Sequence, residues 1–284
     1  MSRPRVSIVV PAFNMEAYLG ECLQSLSKQI LADIEIIVVN DGSTDGTRGI
    51  IAAFVRADTR FICIDLPQNL GTFRARLEGI KATSGSYLCT VDADDWVSED
   101  FANRLYRIAE DSGADVVECA LHYVRKERSK IKLKWAETSP ASAQGNDIVK
   151  GVLERKIWHI AANKIFRMSL VKTALPFLDK IQDKLVVADD KLLTFPFFYC
   201  AKSFVHIPDR LYFYRMRHDS ATNHRVIEND IRHIKNTQLI DKYIEEWELV
   251  IKFRNTDGKF IKAFFNLFRE VVGYNKYSEG IKYR

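Results

Sequence analysis

Tyr87-Leu88-Cys89-Thr90-Val91-Asp92-Ala93-Asp94-Asp95-Trp96 joins five residues of strand character to three carboxylates within four positions. A buried strand that ends in so much negative charge is costly unless something positive meets it there. Hard divalent cations take oxygen ligands, and Mg2+ or Mn2+ commonly link carboxylates to a substrate's phosphates. One reading is therefore a metal and diphosphate site at the carboxyl end of a parallel strand, where open α/β sheets place their ligands. The other is a plain loop in which Asp94, Asp95 and Ser98 cap a helix beginning near Glu99.

The residues upstream favour the first reading. Val6 to Val10 is a short apolar run stopped by Pro11, as expected of a buried parallel strand, and Glu16 to Lys28 has a helical apolar stripe. Ile34 to Asn40 is a second strand, followed by the turn-rich loop Asp41-Gly42-Ser43-Thr44-Asp45-Gly46-Thr47 and a helix to about Arg56. Phe61 to Leu66 is a third strand, and Asn69-Leu70-Gly71 leads into a helix carrying Arg76 and Gly79. Strand and helix alternating four times predict a parallel sheet with right-handed crossovers. The polar loops 11–16, 41–47, 69–76 and 92–95 all follow strand ends and so gather on one sheet edge. Asp41 can accept the ring N–H of a uracil, Arg76 offers a delocalised charge to carboxylate or phosphate, and Asp94 can bind a metal. No GxGxxG follows the first strand and no GxxxxGK[ST] occurs, which disfavours dinucleotide and P-loop sites.

Composition is that of a globular protein: 284 residues, 47% hydrophobic and 28% charged. No apolar run approaches the roughly 20 residues needed to cross a bilayer. The start leads straight into a strand, so no signal peptide is expected. Five dispersed cysteines without CxxC spacing predict reduced core thiols in a cytoplasmic protein. The net charge of +5 resides in the tail, where Leu249–Arg284 holds eight Lys/Arg against three Asp/Glu; Arg125–Lys134 is a second basic run. Such runs suit an anionic partner or a solvated face equally well.

With these residues in hand, the chain resembles family 2 glycosyltransferases of the GT-A fold. The resemblance rests on Ser7-Ile8-Val9-Val10-Pro11-Ala12-Phe13-Asn14, on Asp41 to Thr47, on Asn69-x-Gly71-x-x-x-Ala75-Arg76-x-x-Gly79, and on Asp92-Ala93-Asp94-Asp95, in order over the first hundred residues. It implies a Rossmann-like, mostly parallel α/β sheet flanked by helices. It further implies that Pro11, Phe13, Asn14 and Glu16 line the donor nucleoside, that Asp41 reads the base, and that Ser43, Asn69, Arg76 and Ala93 belong to the same nucleotide-sugar site. Asp92 would then lie near the ribose and Asp94 would bind Mn2+ or Mg2+.

In the second half, Ser98 to Ser112 reads as a helix, Ala114 to Ala120 as a strand and Asp147 to Lys156 as a helix. Trp158 to Arg167 resembles the family's apolar segment with an Asn-Lys pair near the acceptor, and His159 there is either packing or chemistry. Asp189-Asp190 interrupts an apolar context a second time. A transfer that inverts an anomeric carbon needs one general base for the acceptor hydroxyl, and a carboxylate beside another is suited to that. The family usually has Glu-Asp at this point, which leaves Asp190 in register as the base; capping the helix through Phe198 is the alternative. Lys202 to Ile207 and Leu211 to Tyr214 read as two strands. Tyr214 to Ser220 then resembles a Tyr-Arg-x-Arg-x-x-Ser stretch that folds over the diphosphate, so Arg215, Arg217 and Ser220 are expected on the donor and His218 in the metal shell.

The domain reading is a catalytic region 1–225, with a donor half of about 1–97 and an acceptor half of about 98–225, and a helical C-terminal region 226–284. There Phe260, Phe264, Leu267, Phe268 and Val271 form one stripe, which packs on protein or lies on anionic lipid at the inner membrane face. The expected activity is metal-dependent transfer from a nucleotide-sugar to a hydroxyl of a surface glycan or lipid-linked oligosaccharide, with no nucleic acid among the partners. A silent binding module of the same fold is the alternative. A sugar-nucleotide pyrophosphorylase is disfavoured, because a Gly-rich basic loop would follow its first strand.

Overall fold

The computed structural model describes residues 3–125, 129–131, 139–154, 156–179, 181 and 189–217. The expected C-terminal helical region, together with His218 and Ser220, lies outside them.

The first half alternates as expected: β1 (Val6–Ala12), α1 (Leu19–Ser27), β2 (Ile34–Asn40), α2 (Thr47–Ala57), β3 (Phe61–Asp65), α3 (Thr72–Lys81) and β4 (Tyr87–Thr90). These four strands are all parallel, in the order β3-β2-β1-β4. Neighbouring residues of β1 face opposite sides: Ile8 and Val10 enter one core, Val9 the other. Burial on both faces is why the strand reads as an unbroken apolar run. Pro11 does not end it, since its missing N–H is tolerated where β1 still pairs with β2 as far as Ala12. On α1, Leu19, Cys22, Leu23 and Leu26 form the buried stripe at i, i+3, i+4 and i+7.

The sheet continues through β5 (Trp96–Val97), α4 (Phe101–Ser112), β6 (Val116–Arg125), β7 (Ser129–Ile131), β8 (Ser142–Gln144), α5 (Asn146–Leu153), β9 (Lys164–Arg167), α6 (Met168–Leu178), α7 (Asp189–Cys200) and β10 (Ser203–Met216). Its full order is β3-β2-β1-β4-β9-β6-β10-β5, with β7 on β6 and β8 on β10. The short β9 runs antiparallel between β4 and β6 and so welds the two halves into one sheet.

Two further local expectations are corrected. The segments expected as separate strands, Lys202–Ile207 and Leu211–Tyr214, are one strand, β10, because its pairing with β6 resumes beyond Pro208 and Asp209 through register shifts between Ile207 and Tyr212. A bulge absorbs the missing proline N–H and adds twist. The helix expected near Glu99 starts at Phe101, since Trp96 and Val97 pair with Phe213 and Tyr212 instead.

Helix α3 lies close on the sheet because residue 79 is glycine: a Cβ there would stand 2.4 Å from Val9 Cγ1 and 2.9 Å from Val39 Cγ2. Both are stiff, fully buried β-branched side chains with no room to turn. Gly79→Val is expected to destabilise the fold by about 3 kcal/mol through overpacking. Urea unfolding measures this, and an unchanged midpoint would contradict the close approach.

None of the five cysteines is in a disulfide; Cys22, Cys89 and Cys119 are buried, and Cys63 and Cys200 are partly exposed.

Candidate active site

The parallel strands deliver their loops to one edge, where the first two are laced together. The Asn14 amide donates to Ser43 Oγ (3.1 Å), the Thr44 amide to Asn14 Oδ1 (2.9 Å), and the Gly46 amide to Glu16 Oε2 (2.9 Å). Asn14 takes a left-handed conformation with φ 52°, which Asn tolerates better than most residues. Asp41, buried after β2, accepts the amides of Leu70 (2.7 Å) and Gly71 (2.9 Å) and so pins the loop that holds Asn69. Gly71, with φ 92°, lets that amide turn toward the carboxylate. Pro11 is buried within β1, and Phe13 beside it is 38% exposed.

The three acids after β4 have three different surroundings. Asp95 is 1% exposed and accepts Tyr212 Oη–H (2.8 Å) and the Arg215 amide (2.7 Å), both from β10. Tyr212 Oη in turn accepts the Asp92 amide at 3.1 Å. Asp95 is thus the anchor of the loop and caps no helix. Asp94 is only partly covered and pairs with Arg217 Nη2 at 2.9 Å. Arg215 donates from Nε to the Asp94 carbonyl (2.8 Å), pairs with Glu21, and lies 4.5 Å over the Trp96 ring. Arg217 lies 4.6 Å over the Tyr18 ring.

Burial, and then the neighbouring Asp92, push the Asp94 carboxyl above the usual range even with Arg217 beside it. Burial, and then Asp94 and Asp92, push Asp95 well above it. At Asp94, burial and the neighbouring acid thus outweigh the arginines beside it. Among the described residues no group of three or more acid, histidine or cysteine side chains forms a complete metal cage. Asp94, whose side chain is 21% exposed, is the carboxylate of this loop that could offer an oxygen to a hard cation taking its other ligands from phosphate and water.

Asp92 faces a third cation. Arg76, on α3 and 4% exposed, directs Nη2 to Asp92 Oδ1 (2.5 Å) and Nη1 to Asp190 Oδ1 (2.6 Å). Asp190 lies in the first turn of α7, where an acid also suits the helix dipole. Its carbonyl accepts Thr194 Oγ1 at 2.8 Å. Acids from two distant parts of the chain thus meet at one guanidinium. His159, expected as packing or chemistry, stacks on Trp158 with ring centroids 5.2 Å apart.

A second charged cluster braces the other half. Lys164 at the start of β9 is 0% exposed and pairs with Glu118 Oε2 (2.7 Å) while donating to Asn163 Oδ1 (2.8 Å). Ser139 Oγ (2.6 Å) and His206 Nδ1 (3.0 Å) approach the other oxygen of Glu118.

Sequence reasoning brought forward Asp92, Asp94, Arg76, Asp190, Arg215 and Arg217, and the structure gathers these six at one edge. It missed Tyr212, Tyr18, Glu21, Glu118 and His206. No local pattern marks them.

This architecture is the GT-A fold, a mostly parallel α/β sheet with an acidic loop at its ligand edge. The glycosyl transferase family 2 model matches residues 7–172, more than half of the sequence, and the chain belongs to that family. The chain is similar to glycosyltransferase GlyG of Streptococcus pneumoniae, with 30% identity over 219 residues, 76% of this chain and 72% of that protein. It is also similar to EpsH of Bacillus subtilis, 30% identical over 217 residues, 76% of this chain but only 62% of the relative's length. Among solved structures, TarS of S. aureus in complex with UDP-GlcNAc superposes with a TM-score of 0.72 at 20% identity, covering 98% of this chain and 76% of that one. At that identity the likeness concerns the fold.

Proposed function

We propose that the protein is an inverting, metal-dependent glycosyltransferase that moves a sugar from a UDP-sugar to a hydroxyl of a surface glycan or lipid-linked oligosaccharide. The observation that carries this reading is the single guanidinium between Asp92, on the donor loop, and Asp190, at the head of α7. It is supported by the family and by a structural neighbour solved with UDP-GlcNAc.

In this mechanism Phe13, Pro11 and Asp41 receive the nucleoside, with Asn14, Glu16, Ser43 and Asn69 holding the loops that surround it. Asp92 and Ala93 back the ribose, and Asp94 binds the metal. Held there, Mn2+ or Mg2+ would neutralise the charge that gathers on the departing diphosphate. Arg215 and Arg217 contribute to the same end as fixed donors. Asp190 takes the proton of the acceptor hydroxyl as its oxygen attacks the anomeric carbon from the face opposite UDP, so the glycosidic C–O bond forms as the C–O bond to phosphate breaks. The donor and acceptor halves divide near residue 97, and His218 and Ser220 would extend the site beyond the described residues.

The test is a panel of UDP- and GDP-sugars, each assayed for metal-dependent donor hydrolysis. Turnover of at least one UDP-sugar is expected; UDP binding with no hydrolysis of any donor would identify a silent binding module instead.

A second expectation concerns the metal alone. Arg217 already sits on Asp94. Mn2+ should therefore bind roughly tenfold more weakly without UDP than with it, within the usual range of coupling between two ligands. Calorimetric titration with and without UDP reads this directly, and equal affinities would mean that the diphosphate supplies no ligand to the metal.

A further inference from the structure

We infer that Arg76 is a positioning residue for the general base: its guanidinium holds Asp190 in place against the donor loop, in addition to any contact with the donor itself. The inference rests on the reading of Asp190 as base.

Three observations carry it. First, Arg76 spends two different nitrogens on two carboxylates 98 residues apart in sequence, Asp92 at 2.5 Å and Asp190 at 2.6 Å. A guanidinium is planar, so both carboxylates are held at fixed angles to one rigid plate. Second, the plate cannot wander. Arg76 is 4% exposed, and α3 is seated on Val9 and Val39 through Gly79. Third, the backbone at the head of α7 is tied as well: the Asp190 carbonyl accepts from Thr194 Oγ1, which also lies 2.8 Å from the His159 carbonyl. That contact holds the helix turn, while Arg76 contacts the Asp190 carboxylate itself.

Proximity catalysis is steeply sensitive to such direction, and a displacement of about 1 Å at a reacting group costs about 10²-fold. Arg76 therefore acts through Asp190 on the chemical step, whereas an arginine serving only the donor would act on donor affinity. The arrangement also makes base placement conditional on the docking of the two halves, because the same guanidinium must reach both.

The test separates these roles. In Arg76→Met, kcat at saturating donor is expected to fall about 10²-fold, with the Kd for UDP within threefold of wild type. In the Asp190→Asn background the same substitution should produce no further fall in kcat. Added guanidinium ion should restore part of the kcat of Arg76→Ala, and Arg76→Lys, which can reach one carboxylate but not hold both at fixed angles, should lie between wild type and Met. Thermal melting of each variant controls for folding; if Arg76→Met does not fold, the lysine variant and guanidinium rescue carry the test.

Wild-type kcat in Arg76→Met with weakened UDP binding would overturn the proposal and leave Arg76 a donor ligand. So would additive losses in the double variant. An active Asp190→Asn enzyme would instead overturn the assignment of the base, a result distinct from either.

Discussion

Asp190→Asn is expected to bind UDP with metal within about threefold of wild type while sugar transfer falls by about 10²- to 10⁴-fold, the usual contribution of a general base. The reason is chemical and local. Asparagine keeps the shape and one carbonyl oxygen for Arg76, so the fold and the donor loop lose little. It cannot accept a proton at any accessible pH, so the attacking alcohol remains neutral and a weak nucleophile. Single-turnover transfer from a UDP-sugar to its acceptor, beside calorimetric UDP binding, measures both arms. Near-normal transfer would exclude Asp190 as base. Loss of UDP binding and transfer together would mean that Asp190 serves the donor pocket.

The second large effect is on stability. Lys164→Met is expected to cost about 3–5 kcal/mol near pH 8, because it leaves Glu118 charged and buried without its chief counter-ion. Burial alone would raise the Glu118 carboxyl; Lys164, then His206 and Ser139, outweigh it and hold it below its ordinary value. A depressed acid contributes stability that is fully present above its unfolded pKa, near 4.3, and is lost as pH falls through the lower folded value. In wild type that loss thus begins only as pH falls toward the unfolded value. In the variant the sign reverses: burial dominates, and protonation relieves the strain. The deficit against wild type should therefore shrink between pH 8 and pH 5. Urea unfolding at both pH values is the measurement, with His206→Gln as a control for the neighbouring imidazole. A deficit below 1 kcal/mol at pH 8 would mean that Glu118 escapes its charge in another way.

Both predictions concern residues whose importance is unequally visible along the chain. Asp190 could be singled out because two adjacent acids break an apolar segment. The Asn163-Lys164 pair is visible only through resemblance, and its partner Glu118 reads as one polar residue in a strand. Asp95 shows the same limit. Next to Ser98 and Glu99 it makes a reasonable helix cap, and every residue needed for that is local. Its actual donors, Tyr212 and the Arg215 amide, come from a strand more than a hundred positions later.

The expected C-terminal stripe of Phe260, Phe264, Leu267, Phe268 and Val271 lies outside the described residues. Among the described residues no helix is long and apolar enough to cross a membrane.

What the sequence by itself determined is whatever a local period can encode: four strands, three of them buried on both faces, the helices between them, the loops at their carboxyl ends, and the acids and arginines those loops carry. Hydrophobic alternation and turn chemistry act over a few residues, so they survive in one dimension. What only the tertiary structure decided is partnership. Arg76 lies between Asp92 and Asp190, Asp95 goes to β10, Arg217 faces Asp94, and β9 enters antiparallel between β4 and β6. Each depends on contacts between residues far apart in the chain, where the choice among several equally suitable charges is made by which backbone the packed core brings within 3 Å.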